Sequence, residues 1–223
     1  MMTVSDGIAE EYHRNYGIRS LVITNAPPYH TLTPSPVRDQ QIRLIHHGGA
    51  VPSRKLELMI EMMRHVDDRF TLDLMLVPSS RQYLKRLESL SQGIGNVRFV
   101  PPVPMPEIVS HINKYDMGLY ILPDNSFNNW FALPNKIFEF IQARLGVAIG
   151  PSVEMARIVK NHGVGVVADS FKPRALAEKL NCLSSQDIRR FKERAHAAAS
   201  SLSQESNCER LLGVIERLLG QAK

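Results

Sequence analysis

Cysteine is scarce in this chain, and long apolar runs are missing altogether. Among 223 residues only Cys182 and Cys208 are cysteine, in no CxxC spacing. Two are too few for a disulfide framework, so both are expected as reduced thiols. No stretch approaches the roughly 18 uninterrupted apolar residues of a membrane span. The opening Met1-Met2-Thr3-Val4-Ser5-Asp6-Gly7 has neither a basic nor an apolar signal region, so no secretory leader is expected. Internal repeats, a Walker A loop, a GxGxxG fingerprint and any His/Cys grouping at zinc-like spacing are also missing. These absences exclude transmembrane and secreted readings. A cytoplasmic protein without a metal is expected.

What is present is the balance of a globular domain, 43% hydrophobic and 22% charged. Lys and Arg number 27 against 22 Asp and Glu, a net charge of +5, with a pI near 9.3. The basic residues are interleaved with acids. The densest cluster, Arg189, Arg190, Lys192 and Arg194, includes Glu193 and a single aromatic, Phe191. That pattern is a solvated helix face, and no nucleic-acid partner is expected.

The chain alternates short apolar runs with stretches of helical period. Strands are expected at residues 19–24, 42–47, 71–77, 97–100, 117–122, 147–149 and 164–168. Most are too apolar to be half-solvated, so they read as strands covered on both faces. Between them, Ser53 reads as an N-cap for a helix in which Leu56, Met59, Ile60, Met63 and Val66 share a face. Further helices are expected at about 80–91, 105–114, 134–143, 152–161, 173–183, 185–202 and 204–219. The expected fold is α/β, a Rossmann-like doubly wound parallel sheet. Residues 25–36 hold four prolines in a Thr/Ser-rich setting, which excludes a helix or central strand. Residues 1–24, read as one helix and one strand, cannot form a core alone and look like the end of a preceding domain.

In such a sheet, ligands bind beyond the carboxyl ends of the strands. The first main strand runs into His46-His47-Gly48-Gly49-Ala50-Val51-Pro52-Ser53-Arg54-Lys55. Two glycines admit a ligand close to the backbone, a following helix N-terminus offers free N–H groups, and Arg54 and Lys55 add charge. This is either a diphosphate cradle or a tight turn with exposed basic residues. The adjacent histidines alternate across the strand, one expected packed and one at the cleft. The densest segment is Leu133-Pro134-Asn135-Lys136-Ile137-Phe138-Glu139-Phe140-Ile141. Pro134 opens a helix in which Glu139 is an acid among apolar neighbours. That carboxylate either pairs with Lys136 or accepts hydrogen bonds from two ribose hydroxyls.

With these segments in order, the sequence resembles the C-terminal, donor-binding half of a GT-B-fold retaining glycosyltransferase of the group 1 family. The resemblance rests on His47-Gly48-Gly49 to Arg54, residues 96–103, Tyr115-Asp116-Met117-Gly118-Leu119, residues 133–139 and Gly163-Val164-Gly165-Val166-Val167. It implies residues 1–24 as the remnant of an N-terminal acceptor domain and 25–41 as a hinge. Residues 42–203 would be the nucleotide-sugar domain, and 204–223 a helix crossing back to the N-terminal domain. Arg54 and Glu139 would be the catalytic groups, with Gly48, Gly49, Arg54, Lys55, Val100, Pro101, Asn135, Lys136 and Glu139 binding the donor. Glu139 would take the ribose, the backbone at Asn135 and Lys136 the diphosphate, and Val100–Pro101 the base. No cofactor is implied beyond a donor expected to be UDP-linked. The acceptor would be a sugar or lipid-linked glycan in polysaccharide synthesis, at the inner membrane face. Two family positions differ: Phe131 stands where a first, sugar-binding glutamate is expected, and a glycine where a second basic residue is expected. A non-catalytic nucleotide-binding or scaffold module and a nucleotide-sugar epimerase remain alternatives, and this chain alone is expected to transfer little.

Overall fold

The computed structural model describes residues 1–220. The chain opens with β1 (Met2–Thr3), α1 (Asp6–Tyr16) and β2 (Leu21–Val22), whose strands pair in parallel. β1 corrects the reading of this region as one helix and one strand; two residues carry no periodicity to detect.

The main body follows as β3 (Ile42–Ala50), α2 (Glu57–Met62), β4 (Phe70–Pro78), α3 (Arg81–Ser91), β5 (Val97–Val100), α4 (Ile108–Ile112), β6 (Met117–Tyr120), α5 (Phe127–Trp130), α6 (Asn135–Gln142), β7 (Gly146–Ile149), α7 (Val153–His162), β8 (Gly165–Val167), α8 (Pro173–Asn181), α9 (Ser185–Ala198) and α10 (Gln204–Gly220). Six strands form one parallel sheet in the order β5-β4-β3-β6-β7-β8. The chain builds outward from β3 to β5, then returns to the other side of β3 and continues through β8. The reversal between β3 and β6 is the topological switch point, where helices diverge and leave a crevice. All four residues of β6 and of β7 are buried, which is why these runs lack apolar–polar alternation.

Local chemistry sets several boundaries. Ser80 caps α3 by accepting from the Tyr83 N–H at 3.3 Å, and Ser184 with Asp187 forms a reciprocal capping box on α9. The expected Ser53 cap is not formed. Pro52–Arg54 is a 3-10 turn, Lys55 follows in the left-handed region (φ 53°), and α2 begins only at Glu57. There the Tyr83 hydroxyl accepts from the Leu56 N–H (3.0 Å) and donates to Glu57 (2.5 Å), doing the work of a cap.

The proline-rich segment 25–41 is strapped to the body. Arg144, fully buried, donates to the His30 carbonyl at 2.6 Å and the Leu32 carbonyl at 3.2 Å. Asn113 donates to the Thr33 carbonyl, and the buried Lys192 ammonium to Ser35 Oγ (3.0 Å) and the Tyr115 carbonyl (2.6 Å). The first unit also packs on the body. Glu154 accepts from the Gly7 N–H in the first turn of α1, and Arg157 pairs with Asp6. From α10, Asn207 donates to the Thr24 carbonyl, while Leu212, Ile215, Leu218 and Leu219 remain exposed.

Candidate functional site

The crevice at the switch point is built mainly from β3 and α6. Helix α6 can lie close to the sheet because β6 carries Gly118; a β-carbon there would collide with the Phe140 ring. Strand β3 continues three residues further than expected, so Gly48 and Gly49 are its paired end, opposite Leu76 and Val77. Gly48 has φ 115°, a conformation that disfavours a side chain. Beyond it, Arg54 donates to the Gly49 carbonyl at 3.4 Å and so folds back over the glycines. Lys55 is exposed, and α2 starts too late for its N-terminus to lie directly behind Arg54.

Both histidines are buried, correcting the expectation of one at the cleft. His46 Nδ1 lies 2.8 Å from the Leu119 carbonyl. That carbonyl can only accept, which places the proton on Nδ1 and leaves Nε2 as a buried acceptor without a partner. Burial, then the charge of Lys136, holds this ring well below its usual pKa. The same two causes bring His47 to about 3. His47 Nε2 sits 3.4 Å from Glu139 Oε2, with its ring edge-on to Phe140. With the ring neutral, this contact is dipole against carboxylate rather than an ion pair.

Glu139 is 8% exposed, and burial raises its pKa against the opposing pull of Lys136. The two expected alternatives for this carboxylate resolve in part. The titratable side chain within 4 Å of it is the neutral His47 ring, while Lys136 acts on it only from further away. Lys136 is itself buried, its ammonium 5.3 Å from the centre of the Tyr120 ring. Desolvation, then Arg54, lowers it to about 8.

A cavity of about 590 Å³ opens beside this group. Asn135 and Glu139 form one wall, the strap from Asn25 to His30 a second, and Met105, Pro106 and Val109 the third. The volume is in the range of small-molecule sites. Gly48, Gly49, Arg54 and Lys136 do not line it; Glu139 links it to His47 and, at longer range, to Lys136. Val100 and Pro101 line a separate groove of about 610 Å³, with Asp73, Arg98 and Tyr115. The expected site residues thus fall into a connected group around β3 and α6, a neighbouring groove at β5, and one exposed lysine. Sequence reasoning missed the strap as a wall of the cavity, although four prolines favour a fixed, extended backbone there. Phe131 lies outside the cavity and its carbonyl accepts from Ser5 Oγ at 3.1 Å. Nearby, the Asn129 amide donates to Asn125 Oδ1 at 2.6 Å. Among the described residues, no three of His, Cys, Asp and Glu gather as a metal site.

The chain is a doubly wound parallel α/β domain with a crevice at its switch point. No family model and no curated protein matches the sequence. Solved structures do match. WaaG, a glycosyltransferase involved in lipopolysaccharide biosynthesis, is 16% identical with a TM-score of 0.68, over 92% of this chain and 61% of its own. Anabaena Alr3699/HepE, solved with UDP and glucose, is 14% identical at TM-score 0.79, over 97% of this chain and 62% of its own. S. aureus TarM, as a variant solved with Fondaparinux, alpha-GlcNAc-glycerol and UDP, is 12% identical at TM-score 0.76, over 95% and 43%. The chain therefore has the Rossmann-like fold found within these GT-B glycosyltransferases, and spans about three fifths or less of their lengths.

Proposed function

We propose that this chain is the C-terminal, donor-binding half of a glycosyltransferase that uses a nucleotide-diphospho-sugar. The observation that carries the reading is the buried Glu139 carboxylate at the wall of a 590 Å³ cavity, with Arg54 and Lys136 beside it at the switch point. A buried acid near one buried and one half-buried cation, with no ion pair to Lys136 within 4 Å, is poised for an outside ligand. Glu139 accepts hydrogen bonds from the ribose hydroxyls. Arg54 and the free amides of α6 at Asn135 and Lys136 face the diphosphate, which Gly48 and Gly49 allow to approach. Val100 and Pro101, expected to edge the base, line the neighbouring groove instead.

In the transfer, the bond between the anomeric carbon and the β-phosphate oxygen breaks. Its electron pair leaves with the nucleoside diphosphate, whose growing charge Arg54 and the α6 amides stabilise. An acceptor hydroxyl bonds to the same face of the carbon and passes its proton to the departing β-phosphate oxygen, which makes the reaction retaining; Arg54 and the α6 amides carry the charge that a metal would otherwise take. The glycosyltransferases of this fold solved with UDP support a UDP-linked donor. The lipopolysaccharide role of WaaG supports a sugar or lipid-linked glycan as acceptor, and our reading places the enzyme in the cytoplasm at the inner membrane face. No described helix is long and apolar enough to cross a membrane. The acceptor domain would precede residue 25, with 25–41 as the hinge.

A second reading, a nucleotide-binding module without transfer, is favoured by Phe131. No carboxylate occupies the position from which the donor sugar would be held. Thermal unfolding with UDP, GDP and ADP tests the main reading. At about 100 times the dissociation constant, a bound nucleotide adds ~2.7 kcal/mol. In a domain of this size that raises the midpoint by about 5–10 °C. A rise with one nucleotide supports the donor site, and no rise with any of them overturns it.

A further inference from the structure

The end of β3 offers two glycines where a diphosphate grip needs charge, and the loop itself folds only Arg54 back over them. The space above Gly48 is nonetheless filled. A β-carbon at Gly48 would stand 2.7 Å from Lys136 Nζ and 2.9 Å from its Cε. Lys136 therefore reaches across from α6 and lays its ammonium on the glycine turn. It is 8% exposed, yet what surrounds it there is the Tyr120 ring, the Gly48 backbone, the like charge of Arg54 and, beyond ion-pair distance, the Glu139 carboxylate. Glu139, one turn along the same helix, sits within 4 Å of His47 instead. Keeping a cation buried without a hydrogen-bonded counter-charge, next to a second cation, works against folding. Those same two cations converge on the turn to which the backbone gives an anion its closest approach.

We propose that the Lys136 ammonium is the second cation of the diphosphate grip, acting with Arg54 through the space that Gly48 leaves open. The inference rests on the nucleotide-diphosphate reading above and adds a side-chain role to a residue expected there to act through its amide. It carries a pH signature. The groups facing Lys136 are His46 and His47 on β3, Arg54 in the following turn, Tyr120 on β6 and Glu139 on α6. Both imidazoles are neutral well below neutrality, and Tyr120 is pushed up to about 12. Lys136, lowered to about 8, loses its proton in between. Above that pH, binding a diphosphate requires protonating the ammonium first, so affinity falls as pH rises.

The test is calorimetric titration of the full chain with UDP, GDP and ADP, for the parent, Lys136→Met and Lys136→Arg, at about pH 7 and pH 9.5. Met keeps the length and packing of the stem; Arg keeps a charge that does not titrate in this range. The nucleotide that binds the parent should bind Lys136→Met at least tenfold more weakly at pH 7, while the matching nucleoside binds both alike. Parent affinity should fall about tenfold by pH 9.5, with Lys136→Met flat and Lys136→Arg restored and flat. The unliganded Lys136→Met protein should melt no lower than the parent. A variant that binds as tightly as the parent with the same pH profile would make Lys136 a packing residue and leave the nucleotide reading standing. A parent that binds none of the three nucleotides would overturn that reading, and this inference with it.

Discussion

Two regions of this molecule bury a lysine, and they treat it in opposite ways. Where the strap crosses α9, the Lys192 ammonium donates to the Tyr115 carbonyl at 2.6 Å and to Ser35 Oγ at 3.0 Å. Nearby, Arg144 is likewise spent on the carbonyls of His30, Leu32 and Gln142. At the switch point, Lys136 faces a ring and a second cation, and His46 Nε2 and His47 Nε2 have no hydrogen-bond partner. Burial brings both lysines to about 8, so the shift alone does not separate them. Hydrogen bonding does. A satisfied buried cation holds chain segments together, whereas an unsatisfied one beside a cavity is waiting for a ligand.

Acid should break the contrast most strongly, because the switch point holds imidazoles that must charge. His47 has a folded pKa near 3 against 6.5 in the unfolded chain. The unfolded state therefore binds more protons between those values, and stability falls as pH drops below 6.5. At pH 5 this amounts to about 2 kcal/mol from His47, with His46 adding in the same direction. Urea unfolding at pH 7 and 5 measures it, and His47→Phe should remove a large part of the loss.

Removing the satisfied lysine comes next. Lys192→Met should cost about 2–3 kcal/mol in urea unfolding, because two hydrogen bonds from a charged donor are lost and the Tyr115 carbonyl keeps only a 3.5 Å contact from Ser35 Oγ. Lys136→Met should cost nothing by the same measurement. Equal losses would erase the distinction between the two regions.

Alkali sharpens the comparison further. Each lysine has a folded pKa near 8 and a reference value of 10.5, so the unfolded state holds more protons between them. Stability should therefore rise from pH 8 to about 10, on the order of 2 kcal/mol per lysine. Above pH 10 the gain reverses, because burial raises Tyr83, Tyr115 and Tyr120 and keeps them protonated in the folded state only. Lys136→Met should lose about half of the rise. Smallest of all is Glu139→Gln, which should weaken nucleotide binding about tenfold or somewhat more, roughly the ~1.4 kcal/mol of one charge-assisted bond. Calorimetry reads it, and an unchanged melting temperature shows that the fold is spared.

The sheet was legible because parallel strands covered on both faces leave continuous apolar runs, as at Gly146–Ile149 and Met117–Tyr120. Helix α3 was legible because Ser80 caps it locally. Helix α2 was misread because its start depends on the Tyr83 hydroxyl, brought from α3 by the fold, rather than on Ser53. At the site, Gly48, Gly49, Arg54, Asn135, Lys136 and Glu139 could be singled out from residue type and position. The sequence did not show that the Lys136 stem crosses to Gly48, since that depends on how closely Phe140 settles on Gly118. Nor did it show the strap walling the cavity, or Val100 and Pro101 turning to a groove of their own.

The central claim, that the end of β3 and the start of α6 together hold a nucleoside diphosphate, is tested most directly by backbone amide NMR during a titration with UDP. The largest shifts should fall on Gly48, Gly49, Arg54, Asn135, Lys136 and Glu139, with smaller ones along the strap at Tyr29 and His30. Saturable shifts confined to another face, such as the groove of Arg157, Lys160 and Lys179, would contradict it.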